Sequence, residues 1–165
     1  METRIVVTGI LKDNDLFLIV KRNENDDLYP GAWEFPGGHL EENEELTDCL
    51  HRELLEETGM DIDVSRLKPF MLLEHLNKDY PEAGSNRLTK IYYFSVTTSE
   101  NVDLSKTNYT LEETIGNYEL RYIPLEIVEE LLLKNAEVAP KNKVIATEML
   151  EAIKEYKRIT SIEKI

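Results

Sequence analysis

The sequence predicts a mixed α/β (α+β) fold, and three observations carry that prediction. Two β-rich runs, residues 4 to 10 and 16 to 22, open the chain with only a short polar stretch between them. A helix-length segment then runs from Asn43 to Gly59. Short apolar runs follow it, and the chain closes on two helical stretches.

Lys12, Asp13, Asn14 and Asp15 read as the turn that joins the first two runs into a hairpin. Residues 23 to 32, NENDDLYPGA, form a polar loop. A short strand from Trp33 to Phe35 leads into Pro36, Gly37 and Gly38. Paired glycines permit backbone geometry that other residues resist, which is useful where a carbonyl must face a cation. Asn43 is a favourable helix N-cap, and Glu44 and Glu45 follow in the first turn, where the helix dipole favours anions. Gly59 stands where a glycine ends a helix, so one helix is expected over about residues 44 to 58.

Residues 62 to 64 and 69 to 75 read as short strands. Residues 76 to 89 read as a polar loop containing Pro81 and Gly84, a candidate substrate-side lid. Residues 91 to 97 and 120 to 123 are further strands, and Pro124 is placed as the first residue of a helix through LEIVEELLLK. A last amphipathic helix is expected over about residues 143 to 156, with 159 to 165 as a frayed tail. No repeat, low-complexity segment or linker divides the chain, so a single domain over residues 1 to 165 is expected.

Hydrophobic residues make up 41% and charged residues 32% of the 165, as in ordinary globular proteins. No apolar run approaches a membrane span, and the N-terminal METRIVVTG lacks the layout of a secretory signal. The lone Cys49 cannot form an internal disulfide and reads as a small buried apolar residue. A cytoplasmic location is the expectation. The net charge of −14 argues against sequence-independent binding to long nucleic acids, yet leaves a nucleotide substrate open, because a bound cation brings its own positive charge.

Helical spacing puts Glu53, Glu56 and Glu57 within about a quarter turn of one another, on the side that also carries Leu46, Cys49 and Leu50. Like charges at these spacings repel, and they lie near the negative end of the helix dipole. Half-buried carboxylates so placed call for a cation, and clustered oxygen ligands suit Mg²⁺ before Mn²⁺ or Ca²⁺. A solvated acidic helix face is the bland alternative for those three residues alone.

The surrounding positions decide between the two. Gly38, Glu44, Arg52, Glu53, Glu56, Glu57 and Gly59 stand at the spacing G-x5-E-x7-R-E-U-x-E-E-x-G-U, with Leu54 and Met60 in the aliphatic slots. Every fixed position of the Nudix box is matched, and the segment resembles the Nudix hydrolases. The resemblance implies an α/β/α sandwich with a mixed central β-sheet. It also implies Glu53, Glu56 and Glu57 as metal ligands, with the Gly38 carbonyl beside them. Arg52 and Glu44 would orient the ligand helix. A further glutamate, as general base or extra ligand, would come from residues 109 to 123, where Glu112, Glu113 and Glu119 are candidates and Glu113 is preferred by position. The general base is then either Glu56 or that loop glutamate, and the catalytic set is Glu53, Glu56, Arg52 and Glu113.

For substrate contacts the candidates are Arg22, Trp33 and Gly37. Arginines similar to Arg22 contact phosphates in this family, and the bidentate geometry suits that task. Trp33 and Phe35 read first as core, with Trp33 also able to pack against a base. Tyr29, Tyr80 and Tyr109 are loop aromatics that nothing ranks, His39 reads as a loop histidine with no partner, with contact to a phosphate as the alternative, His51 reads as solvated, and His75 is undecided.

The implied reaction is metal-dependent hydrolysis of a nucleoside diphosphate linked to another group. One to three Mg²⁺ ions would offset phosphoryl charge and acidify a water. The stretch WEFPGGHLEENE looks like the MutT-like branch, which points first to a (d)NTP or oxidised nucleotide cleaved to the monophosphate and pyrophosphate. ADP-ribose and dinucleoside polyphosphates are the alternatives. A non-catalytic nucleotide sensor is the alternative of another class, disfavoured by the intact carboxylates. The expected partner is a small nucleoside diphosphate derivative. A homodimer is left open, with Leu131 to Leu133 serving either core or interface.

Overall fold

The computed structural model describes residues 1–22, 31–80, 82–102 and 119–163. Strand β1 (Glu2–Asp13) and β2 (Leu16–Lys21) form the expected hairpin, with Asn14 in the turn at φ 54°. They pair only near that turn, at Lys12↔Phe17 and Asp13↔Leu16. β2 then leaves to pair antiparallel with β3 (Trp33–Glu34) and with the last strand, Glu119–Pro124. The edge of β1 it vacates is taken by β4 (Gly37–His39), antiparallel from Val6↔His39 to Thr8↔Gly37.

Helix α1 (Leu46–Thr58) follows, then β5 (Met71–Lys78) and β6 (Asn86–Thr97). β6 runs parallel to β1 from Glu2↔Arg87 to Lys12↔Thr97, and β5 pairs antiparallel with β6. Strand β7 (Glu119–Pro124), α2 (Leu125–Val138), a short 3-10 turn and α3 (Lys143–Glu163) complete the described chain. The described strands make one mixed seven-stranded sheet.

Alternation of side chains gives that sheet two apolar faces. Val7, Leu11, Leu18, Phe94 and Val96 on one face bury Cys49, Leu50 and Leu54 of α1. Ile10, Phe17, Ile19, Ile91 and Tyr93 on the other bury Val128 and Leu132 of α2 and Met149 and Ile153 of α3. The result is the expected α/β/α sandwich around a mixed sheet.

Several element boundaries differ from expectation. Helix α1 begins at Leu46, not 44, and Asn43 is not its cap but takes a left-handed φ of 62°. Glu45 is the N-cap, and its N–H donates to the Asp48 carboxylate at 3.1 Å. The displacement follows from Glu44, whose carboxylate is engaged with Arg52 and accepts the Glu41 N–H at 3.0 Å, holding residues 41–44 in a separate turn. Gly59 ends the helix as expected, at φ 75° with its N–H on the Leu55 carbonyl.

Residues 62–64 form no strand: Val64 is buried as a plug beside Leu54 and Met60, and its carbonyl closes a turn with the Leu67 N–H. The expected lid over 76–89 is largely hairpin, because the β5–β6 ladder continues to Lys78↔Asn86. Asp79 closes the remaining turn by accepting the Gly84 N–H at 2.9 Å. Pro124 is the N-cap of α2 rather than its first helical residue. The tail is not frayed from 159, since α3 continues to Glu163. Thr160 sits within it, its hydroxyl donating to the Tyr156 carbonyl at 2.9 Å.

Candidate functional site

The site is built where β4 meets α1. Gly9 donates its N–H to the Pro36 carbonyl at 2.9 Å, and β4 then lies along β1. A side chain at Gly37 would stand 2.1 Å from the Val7 carbonyl oxygen, so only glycine lets the two strands pair here. A side chain at Gly38 would stand 2.3 Å from the carboxyl group of Glu53. The backbone of Gly38 therefore abuts that carboxylate directly. The Gly37 N–H donates to Glu57 Oε2 at 3.1 Å. Two of the three expected ligand carboxylates are thus brought against the paired glycines.

Arg52 organises the rest. Its Nε and Nη2 donate to the two oxygens of Glu44 at 2.8 and 3.0 Å. Nη1 donates to Glu53 Oε1 at 2.7 Å and reaches Glu56 Oε2 at 3.4 Å. Nη2 also donates to the His39 carbonyl at 2.9 Å, tying the helix to the end of β4. With Glu41 Oε1 3.6 Å from Nη1, one guanidinium therefore spans four carboxylates and a strand end. Its hydrogen bonds hold the Glu44 carboxyl down at about 2, and its own proton is bound more tightly than usual for the same reason.

Burial is graded across the cluster. The side chains of Glu44 and Glu53 are 12% and 13% exposed, and that of Glu56 is 35% exposed. Of these three, Glu56 is the most open to solvent. Among the described residues no three acidic, histidine or cysteine side chains converge as a ready-made ion site. The donor set nonetheless fits a hard divalent ion by its chemistry. Three carboxylates and a closely apposed glycine backbone supply only oxygen ligands.

Cys49 is buried beneath the site as expected, its Sγ 3.7 Å from the Gly38 carbonyl oxygen. Burial first, and then the Glu44 charge, push its thiol up to about 12. It takes no nucleophilic role in that state.

The remaining candidates fall elsewhere. Arg22 donates from Nε to Glu34 Oε1 at 3.0 Å, beside the β2–β3 ladder. Trp33 and Phe35 are both core, at 8% and 2% exposed, and the Arg121 guanidinium lies 5.0 Å from the Trp33 ring centre. Tyr80 is covered by Arg87 at 4.6 Å. Glu119 opens β7 and pairs with Arg121 at 3.3 Å. Glu112, Glu113, Tyr29 and Tyr109 lie outside the described residues.

His51 is half-buried rather than simply solvated, with Nε2 2.7 Å from Asp61. His75 is settled as a half-buried contact of Glu148, with Nδ1 3.1 Å from Oε1. The His39 carbonyl as a partner of Arg52 was not foreseen, because a backbone acceptor leaves no mark in residue type.

Comparison with known proteins agrees with this construction. The model of the NUDIX domain matches residues 2–146. The nucleoside triphosphatase NudI of Enterobacter sp. (strain 638) is 27% identical over 106 residues, covering 64% of this chain and 75% of that protein. Among solved structures, the MutT protein of Methanosarcina mazei Go1 superposes with a TM-score of 0.56 at 22% identity, covering 77% of this chain and 80% of that one. The NUDIX domain of Shewanella oneidensis NrtR, complexed with ADP ribose, superposes with a TM-score of 0.59 at 14% identity, covering 97% of this chain and 90% of that one. With its box complete, its sheet sandwiched as the box requires and the family model matched over most of its length, this chain belongs to the NUDIX family.

Proposed function

We propose that this Nudix hydrolase cleaves nucleoside triphosphates, canonical or oxidised, to the monophosphate and pyrophosphate. The observation that carries the reading is the arrangement around Arg52, which presents an intact carboxylate set on one helix against Gly37 and Gly38. The likeness to nucleoside triphosphatase NudI supports the substrate class.

Glu53, Glu56, Glu57 and the Gly38 carbonyl would hold the divalent cation, Mg²⁺ first and Mn²⁺ as substitute. When bound, the cation offsets diphosphate charge and acidifies a water. The chain's own residues do the rest. Glu44 fixes Arg52 by two hydrogen bonds, and Arg52 in turn fixes Glu53. Arg52 is thus a positioning residue. Glu56 is the more exposed carboxylate and is engaged by Arg52 only at 3.4 Å. It is free to turn toward solvent and accept a proton from the attacking water. Glu113 remains the second candidate for that proton. Arg22, Trp33 and Gly37 are proposed on the substrate side. For Trp33 the role is indirect, because the ring itself is core.

The test is pyrophosphate and phosphate release with Mg²⁺ across a panel. The panel holds canonical and oxidised nucleoside triphosphates, ADP-ribose, dinucleoside polyphosphates and nucleotide sugars. Triphosphates turned over well above the rest, with pyrophosphate as product, support the proposal. Preferred turnover of ADP-ribose or a dinucleoside polyphosphate, or no turnover at all, overturns it.

A further inference from the structure

We infer that this chain forms a twofold dimer by pairing the outer edge of β5 with the same edge of a second copy. Among the described residues, no strand pairs with that edge. β5 is eight residues long and carries no proline. Glu74 and Lys78 charge this edge against indiscriminate pairing, while its row of backbone donors and acceptors stays open to a strand of complementary pattern.

The side chains of β5 say which strand matches. They alternate strictly, with Met71, Leu73, His75 and Asn77 turned inward and Leu72, Glu74, Leu76 and Lys78 exposed. Leu72 and Leu76, at 43% and 45% exposed, are the two apolar side chains of the outward row. The outward row thus reads Leu, Glu, Leu, Lys. An antiparallel copy whose twofold axis passes through Leu76 sets Leu76 against the partner's Leu76. In the same register each Glu74 meets the partner's Lys78, and this happens twice because the contact is isologous. One register thus joins two cross-strand ion pairs about an apolar centre. Sliding it by two residues sets Glu74 against the partner's Leu76 and abolishes both ion pairs.

The neighbouring ladder extends the pattern. Glu74 lies opposite Lys90 on β6, so in the dimer it would stand between lysines on both sides. Attraction at these few contacts is local, whereas repulsion between two chains of net charge −14 is spread over their surfaces and is screened by salt. The dimer is therefore expected to tighten, not loosen, as salt rises from low to physiological strength. The continuous sheet so formed would have two central β5 strands flanked by both copies of β6.

The test is the solution mass of the full chain by light scattering or sedimentation across concentration, with wild type, Glu74→Lys, Lys78→Glu and the double exchange. Each single variant replaces two attractions by two repulsions and should weaken association about tenfold or more. The double exchange re-forms both ion pairs with reversed sign and should associate more tightly than either single variant, though short of wild type because position 74 then faces Lys90 of its own chain with like charge. A misfolded single variant could not explain that recovery. A wild type that stays monomeric at all concentrations overturns the proposal. So does a dimer unmoved by either single exchange, or a double exchange that associates no more tightly than the single variants. None of these positions is in the carboxylate site, so turnover by the monomer is expected to remain.

Discussion

Arg52 holds both carboxylate oxygens of Glu44 at once, from Nε at 2.8 Å and Nη2 at 3.0 Å. The two residues are eight apart, and the contact pins the turn before α1 to the middle of the helix. A planar fork matches a carboxylate in a way that an ammonium group cannot. Arg52→Lys should therefore keep the charge and lose the geometry. The expected cost is about 1.5–3 kcal/mol of stability, the usual worth of hydrogen bonds to charged groups. It should be accompanied by a large fall in turnover at little change in KM. Thermal unfolding and steady-state kinetics check the two effects separately.

The same contact sets an acid limb. Glu44 titrates near 4.5 when exposed and at about 2 in the folded chain, because Arg52 hydrogen-bonds its charged form. A depressed folded value means the stabilisation is fully present above about 4.5 and is lost as pH falls toward 2. Glu44→Gln should be less stable than wild type at neutral pH, and the gap should close as pH falls through that window. Denaturant unfolding at a series of pH values reads this directly. A gap that stays constant from pH 6 to 2 would sink the assignment.

Gly37 and Gly38 should respond differently to the same added methyl group. At Gly37 the new atom meets the Val7 backbone at 2.1 Å, so Gly37→Ala should part β4 from β1 and lower the melting temperature strongly. At Gly38 it meets the movable side chain of Glu53 at 2.3 Å, so Gly38→Ala should largely spare folding. Mg²⁺-dependent turnover of Gly38→Ala should nonetheless drop by tenfold or more, on the order of losing one oriented ligand. Equal loss of stability in both variants would contradict this division.

Cys49 offers a probe of the core beneath the site. Its thiol is buried and held near 12, so it should resist disulfide-exchange reagents at pH 8 in the native chain. It should react at once in guanidinium. Native reactivity on the same timescale would mean that α1 opens from the sheet far more readily than its packing implies.

Much of the site was legible because its logic is local. The spacing of Arg52, Glu53, Glu56 and Glu57 is a helical spacing, and Gly59 ends that helix by backbone conformation alone. The start of the helix was misread for the opposite reason. Asn43 has the local chemistry of a cap, but the Glu44–Arg52 contact and the Glu41 hydrogen bond decide where the first turn begins. Val64 stands in a short run whose β-branched residues suit a strand, yet it is a plug for the α1 face. The parallel pairing of β1 with β6 leaves no local sign either, since register between distant strands depends on packing. The roles of Arg22 and Glu113 rest on resemblance rather than spacing, and they were correspondingly the least specified.

That parallel ladder also bears on how the chain is made. Glu2 meets Arg87 and Lys12 meets Thr97, so on that edge β1 has no partner until some 85 further residues have been made. Contacts so distant along the sequence slow folding, toward the millisecond-to-second range. Until then the apolar side chains of β1, among them Val7, Ile10 and Leu11, are exposed to whatever else is nearby. The yield of folded protein is therefore expected to respond to translation speed as well as to the stability of the finished sheet.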